Sequence, residues 1–306
     1  MTDAPIAYRR ASAADAEATF EIVKAAADDL LVRAGRPPAT VGALPPERVL
    51  RFRRSQAAHD PDGYWVAEVG GVMVGAAIGV RREGTWYLAA LHVLPGWQGR
   101  GIGSALLRCS MGNAEGAAVR TVLTDATNPD SNGLYLRAGL LPVDSTLTFD
   151  GPAGAHGPGA TGGLAVRPID PAADGPALHR LDRDALGFAR PLDHAFWADV
   201  PNLAGRVVTR DGAPIGYAYA SAGGAIGPVA VADPVDLPAV LDLAADLARE
   251  AGAQRLHLRV FGATHGAVTW AGERGLRLTG IGLFLASGAP AGRFAGYVTS
   301  GADALY

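Results

Sequence analysis

The sequence predicts an α+β chain of two tandem domains, each a mixed, mostly antiparallel sheet flanked by helices. Three observations carry this. A Gly/Ala/Pro-rich stretch, "DGPAGAHGPGATGG" (150–163), divides the 306 residues into halves of similar size. Both halves run through the same order of elements. In each, hairpin strands are followed by a single strand–helix–strand crossover. The domains are therefore expected at 1–150 and 164–306, joined by a flexible linker at 151–163 that can build no core.

Each half opens with a strand, "IAYRRAS" or "LAVRPID", followed by a helix. In the first half Ser12, with Asp15 three residues on, forms a box-like helix N-cap. Next come strand, tight turn and strand: "YWVAEVGGVMVGAAIGV" (64–80) and "RVVTRDGAPIGYAYASA" (206–222). Gly70-Gly71 and Asp211-Gly212 are two-residue hairpin turns between β-branched residues. A further strand follows, "TWYLAALHVLP" or "AIGPVAVADP", and then an apolar helix, "GSALLRCSMGNAEGAAV" or "VDLPAVLDLAADLAREAG". The strands "RTVLTDAT" and "QRLHLRVF" lead to short helices that end in Gly139 and Gly275, each a left-handed C′ cap. A last strand completes each half.

Composition narrows the function classes. Apolar residues are 49% and charged residues 19%, ample for a core, and the formal charge of −3 gives no general attraction to nucleic acid or membrane surfaces. Lys24 is the only lysine, which reads as coding bias. Cys109 is the only cysteine, so no internal disulfide can form, which suits a reducing cytoplasm. Its place in an apolar run points to a helix residue rather than a nucleophile. The N-terminus lacks a signal-peptide pattern, no window approaches a membrane span, and the histidines show no metal-ligand spacing.

The stretch "PGWQGRGIGSALL" (95–107) places Gly99, Gly101 and Gly103 where a strand passes into a helix. Such a junction offers unpaired N–H groups and a partial positive charge, hence a phosphate site. A P-loop would need a lysine after the last glycine, where Ser104 and Ala105 stand instead. A dinucleotide fingerprint would place its first glycine directly after the strand, but Pro95 to Gln98 intervene. "VLPGWQGRGIG" instead resembles the pyrophosphate loop of the GNAT N-acetyltransferase superfamily, with Val93, Pro95, Gln98, Gly101 and Gly103 on its pattern. The resemblance covers both halves in element order, but only the first in motif.

That resemblance implies an acyltransferase using acetyl-CoA or another acyl-CoA as co-substrate, with no metal. Main-chain groups of Leu91, His92 and Val93 would line the pantetheine arm, and one amide would polarise the thioester carbonyl. Gln98, Gly99, Arg100, Gly101, Ile102, Gly103 and Ser104 would hold the pyrophosphate. Asn128 would touch the cofactor arm. Tyr135 would be the general acid that protonates the departing thiolate. An amine would attack directly while both substrates are held together. Glu68 and His92 are the base candidates carried forward, with Glu83 and Asp125 behind them. His92 and Val93 face opposite sides of their strand unless a bulge intervenes.

In the second half the loop reads "VAVADPVDLPAVL", without glycine and with Asp233 and Asp236 at the helix mouth, where carboxylates repel a pyrophosphate. Counting back from Gly275, the Tyr135 position becomes Ala271 and the Asn128 position Thr264. The second half is thus expected to be a degenerate copy. Mycothiol synthases, also tandem pairs, keep the loop in their C-terminal copy, the reverse of this chain. Asp28, Asp29, Arg33 and Arg36 are candidates to face an acceptor. Arg48, Arg51, Arg53 and Arg54 could bind a carboxylate or phosphate but read as a solvated helix face. The tail "GRFAGYVTSGADALY" is apolar enough to dock. The expected partner is a small-molecule amine, with neither nucleic acid nor membrane, in a monomer or homodimer. The alternative is a non-catalytic acyl-CoA-binding regulatory or assembly module.

Overall fold

A computed structural model describes residues 4–33, 35, 46–154 and 163–300. By its internal contacts the chain divides into two compact units: residues 1–122 with 127–140, and residues 123–126 with 141–306.

The first unit contains β1 (Ile6–Arg10), α1 (Ala16–Arg33), α2 (Pro46–His59), β2 (Tyr64–Val69), β3 (Val72–Arg82), β4 (Thr85–Val93), α3 (Ile102–Ser110), β5 (Val119–Asp125, whose last three residues count with the second unit) and α4 (Pro129–Arg137). Its strands lie in the order β1-β2-β3-β4-β5. All neighbours are antiparallel except β4 and β5, which are parallel. The Ser12 box forms as expected, with Ser12 N–H donating to Asp15 Oδ2 at 2.7 Å. Helix α3 lies on the sheet through Ile102 and Leu106, which are 1% and 0% exposed. Full burial of each contributes about 1.5–3 kcal/mol. Leu91, Val93 and Trp97 pack against the same cluster, so the side chains of β4 at 91 and 93 face α3.

The second unit contains β6 (Leu141–Pro152), β7 (Leu164–Pro168), α5 (Pro171–Leu186), α6 (Pro191–Ala198), β8 (Leu203–Arg210), β9 (Ala213–Ser221), β10 (Ile226–Val231), α7 (Leu237–Glu250), β11 (Arg255–Phe261), α8 (His265–Glu273), β12 (Arg277–Ala286) and β13 (Tyr297–Val298). The strand order is β12-β6-β11-β13-β10-β9-β8-β7. The two-residue turns are as expected, with Asp211 and Gly212 at φ 50° and 78°, and Gly70 and Gly71 at 57° and 81° in the first unit. The core gathers Val229, Leu237, Leu241, Leu258 and Trp270 between sheet and helices.

Two features depart from the expectation. The linker does not begin at residue 151: β6 runs on through Pro152, with Gly151 opposite Leu256 and Pro152 opposite Arg255. Buried Phe149 and its β11 partners hold this end in the sheet. The expected boundary at 150 also separates β6 from the unit in which it packs, since the division falls between Leu140 and Leu141. Residues 155–162 of the expected linker lie outside the described residues.

Candidate functional site

The site begins where a strand loses a neighbour. The parallel ladder between β4 and β5 covers only Thr85–Leu88 opposite Val119–Val122. On the other edge β4 stays paired to β3 as far as Val93 opposite Gly75. Leu94 N–H donates to Val74 O at 2.9 Å. Backbone groups alternate in direction along a strand, so Leu91 and Val93 turn theirs to the edge away from β3. A one-residue bulge at Ala89 accompanies this change.

The loop after β4 is built to expose amides. Gly99 and Gly101 adopt φ of 75° and 78°, the left-handed region that other residues enter only with strain. A Cβ on either would meet no atom within 4 Å, so backbone conformation, not crowding, requires glycine there. The first helical bond of α3 runs from Ala105 N–H to Gly101 O at 3.0 Å. Among the described residues no acceptor meets the N–H groups of Gly99 through Ser104. These donors sit at the positive end of α3 with no side-chain cap.

The other loop side chains brace it. Gln98 Nε2 donates to Val93 O at 2.9 Å. Arg100 folds back to donate to Gly96 O at 3.2 Å and stacks 4.7 Å over Trp97. Gly103 is where the segments meet: a Cβ there would lie 3.7 Å from Leu134 of α4 and 3.9 Å from Val93 of β4.

Tyr135, the residue after Leu134, is 5% exposed. Among the described residues no hydrogen bond to its hydroxyl occurs. Burial raises its pKa, and nearby Tyr87 adds to the rise, so the hydroxyl keeps its proton at any physiological pH. Asn128 is the N-cap of α4: its Oδ1 accepts from Ser131 N–H at 3.3 Å. Its amide oxygen is thus engaged in the cap, which leaves Nδ2 as the group able to reach a ligand.

The base candidates separate. Glu68 accepts from Arg9 Nη2 at 2.6 Å and Nε at 3.0 Å, and Arg9 also holds Asp15. Its carboxylate ties β2 to β1. Glu83 occupies the β3–β4 turn, at the opposite end of nine-residue β4 from the loop, roughly 26 Å away. Asp125 counts with the second unit. His92 lies opposite Ala76 with its side chain on the face away from Leu91 and Val93, as alternation requires. Desolvation, with a contribution from the charge of Arg53, lowers its pKa to about 4. The imidazole is therefore neutral near pH 7, able to accept a proton but only weakly basic.

Of the acceptor candidates, Arg33 bridges Asp29 of its own helix and Asp130 of α4, at 2.9 and 3.1 Å. Arg36 lies outside the described residues. Arg54 pairs outward with Glu17 at 2.5 Å. Arg53 corrects the expectation of a solvated face: it is 5% exposed. Val49, Phe52, Arg53 and Gln56 are all buried and recur at the spacing of one helical face. That spacing was the available signal, hidden by the charge of the residue.

Residues 30–140 match the acetyltransferase (GNAT) family profile. The match falls within the first half of the chain and is to a GNAT-family domain. Solved structures share the chain's fold over most of its length. A protein of Pyrococcus horikoshii classed as an acetyltransferase superposes with a TM-score of 0.74 at 16% identity, covering 99% of this chain and 96% of that one. A GCN5-related N-acetyltransferase from Sphaerobacter thermophilus gives 0.63 at 18%, covering 94% and 96%. A tandem GNAT protein from the clavulanic acid biosynthesis pathway gives 0.59 at 17%, covering 94% and 99%. Curated protein sequences give no match.

The second GNAT-like half differs where the sequence said it would. Asp233 Oδ1 accepts from Val235 N–H at 3.0 Å, so the counterpart loop caps its own amide, and Asp236 is held by Arg210 at 2.6 Å. The position between β10 and β11, counterpart of the gap beside β4, is filled by β13: Val298 pairs with both Val229 and Val260. Thr264, at the Asn128 position by count, donates to Phe294 O and Tyr297 O at 2.8 and 3.1 Å. The tail docks as expected through Ser300; residues 301–306 lie outside the described residues.

Proposed function

We propose that the first unit is an acyl-CoA-dependent N-acetyltransferase for a small-molecule amine, and that the second has no catalytic site. The observation that carries this reading is the run of unpaired amides from Gly99 to Ser104 at the mouth of α3, beside an edge of β4 that has lost its partner.

The residues fit an acyl-CoA. Six consecutive amides at a helix N-terminus suit a pyrophosphate. The outward backbone of Leu91 and Val93 suits an extended amide-bearing arm, as an added strand would. The bound thioester supplies an activated acyl group. Around it, the N–H groups of β4 are donors available to a developing oxyanion. Tyr135 Oη holds a proton that it can donate to a departing sulfur. Its raised pKa means that it acts by donating a hydrogen bond, since full transfer to a thiolate of pKa about 8.5 runs uphill. His92 is neutral and can accept a proton directly or through water. Most of the acceleration then comes from holding amine and acyl group together.

The test measures binding and turnover separately. Calorimetry of the full chain should detect coenzyme A, and a panel of small amines with acetyl-CoA should release free thiol. Binding without thiol release from any amine would favour the non-catalytic acyl-CoA-binding module. No binding would remove both readings.

A further inference from the structure

Among the described residues, Arg53 is a buried cation with no carboxylate paired to it. Its Nε and Nη1, and Oε1 of Gln56, are buried and have no hydrogen-bond partner among the described residues. Arg53 is 5% and Gln56 3% exposed. They sit three residues apart on the inward face of α2, where side chains are neighbours. The charge of Arg53 is felt by His92 at the open end of β4.

An uncompensated buried charge is costly, and so is a buried carbonyl oxygen without a donor. A folded protein keeps both where a ligand completes them. Arg53 needs an acceptor-rich anion. Gln56 Oε1 needs an N–H or O–H. A single buried cation, with His92 neutral beside it, balances one negative charge, which suits a carboxylate better than a phosphate dianion.

We propose that Arg53 and Gln56 recognise the acceptor, and that the acceptor is an amino carboxylate. Its carboxylate receives N–H groups of Arg53, and its amine donates to Gln56 Oε1. The inference rests on the acetyltransferase reading for its name of acceptor, but binding can be measured without turnover.

Three matched probes decide it: β-alanine, O-phosphoethanolamine and n-propylamine. Their affinities are measured by calorimetry on the full chain with coenzyme A present, in the parent and in the Arg53→Met and Arg53→Lys variants. β-Alanine should bind the parent at least tenfold tighter than the other two. Arg53→Met should abolish that preference while coenzyme A binds as before, which also shows that the variant folds. Arg53→Lys should keep part of it. β-Alanine should also raise the NMR titration midpoint of His92 from about 4, because it neutralises Arg53. Equal affinity for all three probes, or a preference for β-alanine that survives Arg53→Met, would overturn the proposal. Tighter binding of O-phosphoethanolamine would overturn the carboxylate assignment. If β-alanine binds as expected but no amine releases thiol, the acetyltransferase reading fails and the recognition site stands.

Discussion

Gln98 holds Val93: the side-chain amide of the loop residue closes a 2.9 Å hydrogen bond onto the last carbonyl of β4. This bond fixes the distance between the strand edge and the exposed amides of α3. It also occupies the one outward acceptor of Val93, so that the edge there offers a donor. Gln98→Leu should loosen the loop without unfolding the unit. One such bond is worth about 1 kcal/mol. We expect coenzyme A affinity to fall about fivefold to tenfold by calorimetry, with the melting temperature lowered by only a few degrees. Unaltered affinity would mean that the loop needs no tether.

Gly101→Val tests backbone conformation. A valine at φ 78° costs about 1–2 kcal/mol or shifts the chain, although its Cβ would meet open space. The variant should lose coenzyme A binding by more than tenfold. The same replacement at Gly112, whose Cβ would also meet open space and whose φ is not left-handed, should leave affinity intact.

Tyr135→Phe removes only a hydroxyl that has no hydrogen-bond partner among the described residues. If that hydroxyl serves the leaving sulfur, kcat should fall by about 10²-fold or more while coenzyme A affinity stays within twofold. Equal turnover in the two proteins would take Tyr135 out of the chemistry.

His92 makes stability depend on pH. Its pKa falls from 6.5 to about 4 on folding, so between those values the unfolded chain binds the extra proton. Its contribution is therefore fully present above pH 6.5 and is lost as pH falls toward 4. Urea melts of the parent at pH 7.5, 5.5 and 4.5 should show this loss, and His92→Gln should flatten it. An equally steep decline in both proteins would assign the effect to other groups.

The second unit contains a buried polar hub that the sequence did not advertise. Asp182 accepts from Arg190 at 2.8 Å, His194 at 3.0 Å and Tyr217 at 2.5 Å. Burial alone would raise its pKa, but the Arg190 charge and the His194 hydrogen bond outweigh this and hold it well below the usual carboxylate range. Asp182→Asn removes the carboxylate charge that faces Arg190. It should cost about 3–5 kcal/mol in urea denaturation. A loss below 1 kcal/mol would show that Tyr217 and Tyr297 suffice to hold the guanidinium.

Much of this was legible from pattern. The strands up to β12, the crossover helices and the helix after each first strand follow from periodicity, tight-turn pairs and glycine caps, because these signals are local; the eight-residue α6 does not. The loop was legible because glycine spacing records backbone conformation directly. What escaped reading depends on contacts distant in sequence. Asp150-Gly151-Pro152 looks like the start of a linker, yet it pairs with residues more than a hundred positions away. Arg53 looks solvated until α2 is seen to turn it inward. Asp182, Arg190 and His194, already bonded to one another, gain Tyr217 and Tyr219 as partners only when β9 is brought over them. The two residues of β13 are too short for any period to show.

That small strand changes what the duplication means. Phe294 wedges against Phe261 with ring centres 4.4 Å apart, and Tyr297 accepts from Arg190 at 2.9 Å, so the inserted segment is anchored at both ends. The trailing copy places its own strand between β10 and β11, whereas the β4–β5 ladder of its sibling stops at Leu88. With that edge already paired, an extended arm has no free backbone to add to there, and the carboxylates and prolines at the mouth of α7 offer a phosphate no replacement.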